Sequence, residues 1–345
     1  MFQNLIIPHD YRSPLDPLET EDAIKKIKDL FQAELAGALN LKRVTAPLIV
    51  RAGRGINDDL SGVERPLSFP VKDLNGAGAE VVQSLAKWKR MALAQLRFRP
   101  GEGLYTDMNA IRPDEALDNM HSLYVDQWDW ERVISRDERN LEFLTEIVKR
   151  IYLVFKKAET FLHGLYPSLK PVLPPDIQVV HSHELERRYP DLTPRERENA
   201  VCREFGAVFI HGIGSPLKNG RPHDGRAPDY DDWTTPTEKG PGLNGDIIVW
   251  YPVLETAMEI SSMGIRVDER ALGAQLELTG TTARKELLFH RLLLDGKLPL
   301  SIGGGIGQSR LCMFLLRKAH IGEVQSSLWP DDMIEECRKK NVFLF

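Results

Sequence analysis

The stretch Ser301-Ile302-Gly303-Gly304-Gly305-Ile306-Gly307-Gln308-Ser309-Arg310 gathers residue types suited to holding a nucleotide. An apolar run from Leu298 to Ile302 is expected to turn through the glycines into an apolar helix with Arg310 in its first turns. Bare glycine backbone lets a flat ring lie close, and a helix N-terminus offers N–H groups and partial positive charge to phosphate. Arg310 adds a planar cation for a phosphate or an adenine face. The plain alternative is a glycine turn joining strand to helix, with no ligand. Two familiar motifs are excluded. A dinucleotide fingerprint from Gly303 and Gly305 needs glycine where Gln308 stands, and no Gly-Lys-Ser/Thr follows for a P-loop.

A second constellation lies in Ser122-Leu123-Tyr124-Val125-Asp126-Gln127-Trp128-Asp129-Trp130-Glu131. Strand alternation puts Gln127, Asp129 and Glu131 on one face. That face is either solvated or a pocket floor whose carboxylates and carboxamide accept hydrogen bonds from an amino group or amide. Arg112 ends the preceding strand, where it meets either a surface carboxylate or, bidentately, a phosphate or substrate carboxylate. Asp246 and Glu259 sit in apolar runs, where carboxylates need partners or bind a hard cation such as Mg²⁺. Lys87-Trp88-Lys89-Arg90 with Arg97 and Arg99 resembles a basic patch, but one amphipathic helix explains most of it. His181 and His183 flank Ser182 before a helix, a placement that suits capping better than metal ligation.

The elements that must position these groups follow from periodicity and capping signals. Residues 1–19 are proline-rich and read as an arm; Glu19, Glu21 and Asp22 open an amphipathic helix carrying Ile24, Ile27, Phe31 and Leu35. Lys42 to Arg51 is strand-like, with Pro47 restricting it to an edge or an irregular position. A polar loop from Ala52 to Ser61 carries Asp58 and Asp59. Glu80 to Leu85 is strand-like and runs into a helix with Leu85, Trp88, Ala92 and Leu96 on its apolar face and Lys87, Lys89 and Arg90 on its polar one. Leu104 to Arg112 and Ser122 to Val133 read as strands joined by a polar loop. A long helix runs from about Asp137 to Leu165, and Thr193-Pro194-Arg195-Glu196 is a capping box. Ala207 to Ile213, Ile247 to Val253 and Thr256 to Ile260 are strands, and two helices precede the glycines. Gly214 to Gly245 is a long charged segment of the kind that is functional or disordered.

Among 345 residues, 42% hydrophobic and 28% charged content marks a globular chain long enough for a sizeable core. A net charge of −5 argues against a broad nucleic-acid-binding face. Three widely spaced cysteines, Cys202, Cys312 and Cys337, give no zinc or disulfide framework and suit a reducing compartment. With no membrane-length apolar run and no leader at Met1 to Pro8, the chain is expected to be cytoplasmic and to bind no membrane.

Taken together, these pieces resemble the three signatures of class II aminoacyl-tRNA synthetases. The first helix with the Pro47 strand resembles motif 1, Arg112-Pro113-Asp114 through Glu131 resembles motif 2, and the glycines with Arg310 resemble motif 3. Within the class the similarity is to the aspartyl and asparaginyl branch. Gln83-Ser84…Lys89 matches its Gln-Ser-Pro…Lys, with Leu85 for the proline, and Gln127-Trp128-Asp129 matches its Gln-Ile-Asp. Glu259 to Arg266 resembles a shortened Glu-Ile-Gly-Gly-Gly-Ser-Ile-Arg. Ile111 replaces an aromatic and Asp114 a glutamate, and there is no room for an anticodon-binding barrel. The chain is therefore similar, over its length, to ammonia-dependent asparagine synthetases. Ser84 to Arg90, Gly101 to Tyr105, Tyr124 to Glu131, Arg226 to Trp233 and Gly303 to Arg310 carry that likeness.

The resemblance implies an α/β (α+β) fold with a class II synthetase-like core, a mainly antiparallel sheet flanked by helices, formed by residues 20–345 as one domain. It implies a homodimer through the motif 1 region and a two-step ligation with ATP and Mg²⁺. Aspartate would be activated as β-aspartyl-AMP, releasing pyrophosphate, and ammonia would then displace AMP to give asparagine. Arg112 would contact the α-phosphate and substrate carboxylate, and Arg310 the nucleotide, with Gly303, Gly305 and Gly307 beside it. Asp58, Gln127 and Asp129 would hold the amino acid, with Ser84, Lys89 and Arg266 around its carboxylates. Asp246, Glu259 and Ser262 would bind Mg²⁺ or phosphate, and Asp231 would close over the site or steer ammonium. Phe2 stands where glutamine-dependent enzymes carry their cysteine nucleophile, so free ammonia is the expected donor. Rival expectations are a tRNA-acting paralogue and a non-catalytic protein that kept the fold.

Overall fold

The structure is a computed structural model describing residues 5–58, 60 and 64–345; Phe2, Asp59 and Ser61 lie outside the described residues. Helix α1 (Pro17–Leu39) starts slightly before the acidic cluster that was expected to open it. Asp16 accepts a hydrogen bond from Glu19 N–H (2.8 Å), Glu19 accepts one from Asp16 N–H (3.1 Å), and Pro17 begins the first turn. The strand-like run that follows is split around Pro47. Its first part is β1 (Leu41–Arg43), an edge strand of the large sheet. Its last part is β2 (Ile49–Arg51), which joins β3 (Ser68–Val71) and β4 (Ala77–Val81) in a separate antiparallel sheet, order β2-β4-β3.

Helix α2 (Ala86–Gln95) leads to a hairpin, β5 (Gly103–Ile111) and β6 (Tyr124–Val133), then to α3 (Leu141–Leu165), capped by Asn140. Next come β7 (Gln178–His181), α4 (Ser182–Arg188), α5 (Pro194–Phe205) and β8 (Ala207–His211). The long charged segment contains only a small ribbon, β9 (Pro236–Thr237) and β10 (Gly240–Pro241). After it run β11 (Asn244–Tyr251), β12 (Thr256–Ile265), α6 (Glu269–Leu278), α7 (Leu288–Leu294), β13 (Ser301–Gly307), α8 (Gln308–Leu315) and α9 (Asp331–Lys339).

The large sheet has the order β1-β5-β6-β13-β12-β11-β8-β7. Its end pairs, β1–β5 and β7–β8, are parallel, and every pair between them is antiparallel, as expected. Helices α1, α3 and α8 contribute to the core cluster that also holds Trp128 and Trp130. Phe31 lies between Trp128 and Phe155 there, with ring centroids 4.5 and 5.6 Å away. Alternation along β6 therefore turns Gln127, Asp129 and Glu131 to the opposite face. The described part of the N-terminal arm is tied down: Ile6 N–H donates to Asn119 Oδ1 (2.8 Å), and Tyr11 O–H to the Glu323 carboxylate (2.9 Å).

Three expectations need correction. The glycines at 303–307 do not form a turn; they are β13, a central strand, and the chain enters α8 only at Gln308. Lys87, Lys89 and Arg90 do not line a solvated helix face: they are 3, 1 and 2% exposed, whereas Leu96, expected on the apolar face, is 54% exposed. The long charged segment, expected to be functional or disordered, is ordered in part into the interior, where Asp229, Asp231, Asp232 and Trp233 are buried. Asp231 accordingly does not sit on a loop free to close; it forms an antiparallel bridge with Arg266 deep in the fold.

Candidate active site

The register of β6 on β13 sets Glu131 opposite Gly303, Asp129 opposite Gly305 and Gln127 opposite Gly307. A Cβ at residue 303 would overlap the Glu131 carboxylate, and one at 305 would overlap the Gln127 carboxamide. The glycines thus leave room for polar side chains from the neighbouring strand to lean across.

Beneath this surface lies a buried charge network. The Lys89 ammonium, brought in by α2, pairs with Asp129 and donates to the carbonyl oxygens of Trp130 (2.9 Å) and Gly304 (3.1 Å). Arg266, just past β12, forks onto Glu131 through Nε–H (3.0 Å to Oε1) and Nη2–H (2.8 Å to Oε2), and its Nη1 pairs with Asp231. Ser301 O–H donates to Glu131 Oε1 (2.7 Å), and Lys89 Nζ stands 3.8 Å from Glu131 Oε2. Burial pushes the Asp129 carboxyl up and the Lys89 ammonium down, each toward neutrality. For Glu131, burial acts the same way, but Arg266 and Lys89 outweigh it and hold the carboxyl below its ordinary value.

Above the network opens a cleft of about 470 Å³. Arg112, Gln127, Glu259, Ser262, Gly305, Gly307 and Arg310 line it, so the two arginines from distant parts of the chain face one space. Arg112 follows β5, where its N–H donates to Leu123 O (2.8 Å). Its Nη2–H donates to Gln83 O (3.3 Å), and its Nε has no hydrogen-bond partner among the described residues. Arg310, in the first turn of α8, donates to Glu259 O (3.0 Å) and lies 3.9 Å from Glu259 Oε2. Asp114 pairs with Arg65.

The acidic end is less simple. Asp246 stands opposite Ser262 on the β11–β12 ladder, and Glu259 stands opposite Ile248 beyond a register shift. Asp246 is paired with Arg226, yet its Oδ1 has no partner among the described residues. Burial pushes its carboxyl up to about 7; Arg226 opposes that, and Glu259 and Asp224 add to it. No group of three or more His, Cys, Asp or Glu able to hold a metal occurs among the described residues.

The remaining expected residues lie around the cleft rather than in its lining. Asp58 is buried and accepts a hydrogen bond from Leu60 N–H (3.2 Å); burial, with the Asp58 charge adding to it, pushes up the phenol of Tyr230, which does line the cleft. Ser84 Oγ accepts from Ala86 N–H (3.1 Å) at the start of α2. Gly303 lies under the Glu131 carboxylate. His181 caps α4, accepting from His183 N–H (3.0 Å).

Sequence reasoning offered Glu131 as part of a pocket floor; it is instead fully buried and paired with Arg266. That reasoning missed Asp229, whose buried carboxylate meets Lys87 (3.4 Å), Arg284 (3.0 Å) and His290 (3.1 Å). Burial alone would raise that carboxyl; Lys87 and His290 hold it well below the usual range. No local pattern marks these partners, which come from α2, the turn before α7, and α7 itself.

A family model described as aspartate-ammonia ligase matches residues 18–341. The aspartate–ammonia ligases of Bacteroides thetaiotaomicron and of Clostridium perfringens strain SM101 are each 58% identical to this chain, covering 99% of it and 99% of their own length. Among solved structures, asparaginyl-tRNA synthetase of Entamoeba histolytica in complex with asparaginyl-adenylate superposes with a TM-score of 0.65 at 15% identity. It covers 93% of this chain and 72% of its own. The asparaginyl-tRNA synthetase of Pyrococcus horikoshii complexed with asparaginyl-adenylate gives 0.62 at 16% identity, covering 90% and 70%. These two share the fold.

Proposed function

The chain belongs to the aspartate–ammonia ligase family, and we propose that it makes asparagine from aspartate, ATP and ammonia in two steps at the cleft between Arg112 and Arg310. A carboxylate is a poor acyl donor because oxide would have to leave. Attack of the aspartate side-chain carboxylate on the α-phosphorus of ATP expels pyrophosphate and gives β-aspartyl-AMP. Ammonia then adds to the acyl carbon, loses a proton, and AMP departs. The protein's share is to position two anions and stabilise charge that develops on phosphorus.

We assign the α-phosphate and the attacking carboxylate to Arg112, whose unpartnered Nε supports that role. Arg310 takes the nucleotide, with Gly307 beside it and the Gln127 carboxamide lying across Gly305. Gln127 and Asp129, with Asp58 behind Tyr230, accept from the substrate's α-ammonium. Lys89 and Arg266 supply the cations for its carboxylates, and Ser84 keeps the start of α2 in place. Asp231 acts by orienting Arg266. Asp246, behind the cleft, with Glu259 and Ser262 in its lining, would hold a magnesium ion. An orphaned buried Asp246 oxygen and one more carboxylate suit an ion whose other ligands are phosphate oxygens and water. Bound there, the ion would neutralise charge on the triphosphate.

A homodimer through the motif 1 region is supported by Leu48 and Ile49, 51 and 46% exposed beside Pro47. Light scattering giving the mass of one chain would overturn it. A cytoplasmic setting is supported by three buried cysteines with free thiols. The observation that carries the functional reading is near-full-length identity to aspartate–ammonia ligases on a fold that brings both arginines to one cleft. It is tested by incubating the protein with aspartate, ATP and Mg²⁺ and adding ammonium, glutamine or tRNA. Asparagine and AMP in equal amounts with ammonium is the expected result. AMP formation that requires tRNA would favour the tRNA-acting reading, and calorimetry without ATP binding a non-catalytic one.

A further inference from the structure

We propose that Glu131 is a positioning residue for this reaction: it fixes where Lys89 and Arg266 present their cations to the dicarboxylate substrate. The inference rests on the reading of the cleft given above. Glu131 is fully buried and touches no solvent, so it has no route to the substrate except through its partners. Its two oxygens take Arg266 side-on at 3.0 and 2.8 Å, a planar fork that leaves the guanidinium little freedom to rotate. The same carboxylate lies 3.8 Å from Lys89, so one anion indexes both cations. Glu131 is itself fixed from two sides. Ser301 O–H holds Oε1, and the missing side chain at Gly303 supplies the space Oε2 occupies.

The other anions cannot replace it. The Asp231 carboxylate bonds Arg266 only at Nη1, and Asp129 bonds Lys89 while acting on Arg266 only through space. Without Glu131 the guanidinium would be held at one nitrogen and could swing about it. Lys89 would also lose one of the two carboxylates that oppose the downward pull of burial on its ammonium.

The test is steady-state kinetics on Glu131→Gln, with wild type alongside. The expected result is a KM for aspartate raised at least tenfold and a KM for ATP within about twofold of wild type. The alkaline limb of the aspartate kcat/KM profile should also move to lower pH. A variant that loses thermal stability but keeps the wild-type aspartate KM and pH profile would overturn the proposal. Gly303→Ala is the second variant: it keeps every charge and displaces the Glu131 carboxylate together with the Arg266 Nη2 that is paired to it. It should raise the aspartate KM in the same selective way, and an unchanged KM contradicts the proposal. If wild type itself forms no AMP with aspartate, the functional reading fails and this inference with it. An active wild type with indifferent variants sinks the inference alone.

Discussion

Lys89 lies where no water reaches it, and the hold of its pairing on the fold is correspondingly large. Its ammonium is satisfied by Asp129 and two backbone carbonyls, all buried. Removing one member of a buried pair typically costs about 3–5 kcal/mol, because the other charge is left uncompensated. Lys89→Met should therefore lower the unfolding free energy by roughly that amount in urea titration. Lys89→Met with Asp129→Leu should recover part of the loss. A single variant within about 0.5 kcal/mol of wild type would show that the pair is already neutral or solvated. At this scale the sequence was partly legible. Gln127, Asp129 and Glu131 could be put on one face by counting, since strand alternation is strict. What holds them could not, because Lys89 arrives from another element and Arg266 from beyond β12.

Elements were most legible where local chemistry decides. The Thr193 capping box and Pro194 start α5 as expected, and the apolar period of α3 agrees with its buried face. They were least legible where tertiary structure overrides the pattern. Lys87, Lys89 and Arg90 read as a polar helix face, but α2 points them at buried carboxylates instead. A run of glycines reads as a turn, yet β13 stays extended because its neighbours' side chains fill the space. At the far edge of the sheet, β7 and β8 bring His181 and His211 together, ring centroids 4.7 Å apart. Burial pushes His181 down to about 4 and His211 down to about 3, and His183, Arg187 and Lys239 nearby add to the effect. The unfolded chain then binds more protons than the folded one below about pH 6.5, so stability falls as pH drops from there toward 4. His211→Phe should shrink the fall in melting temperature between about pH 7 and pH 4.5. An equal fall in wild type and variant would place the acid sensitivity elsewhere.

Across the whole molecule, the sheet order explains how residues distant in sequence become one site. Placing β13 between β6 and β12 sets the glycine strand against both the hairpin that carries Arg112 and the strand that carries Glu259. This convergence could be anticipated only through resemblance, since spacing along the chain carries no information about sheet order. On the proposed reading, two guanidiniums share one triphosphate while aspartate is made acylating. Aspartate-dependent exchange of labelled pyrophosphate into ATP, without ammonium, isolates that first step. Wild type should exchange, and Arg112→Ala should lose about 100-fold or more, as expected for a removed transition-state donor. Exchange at the wild-type rate in Arg112→Ala would contradict that reading.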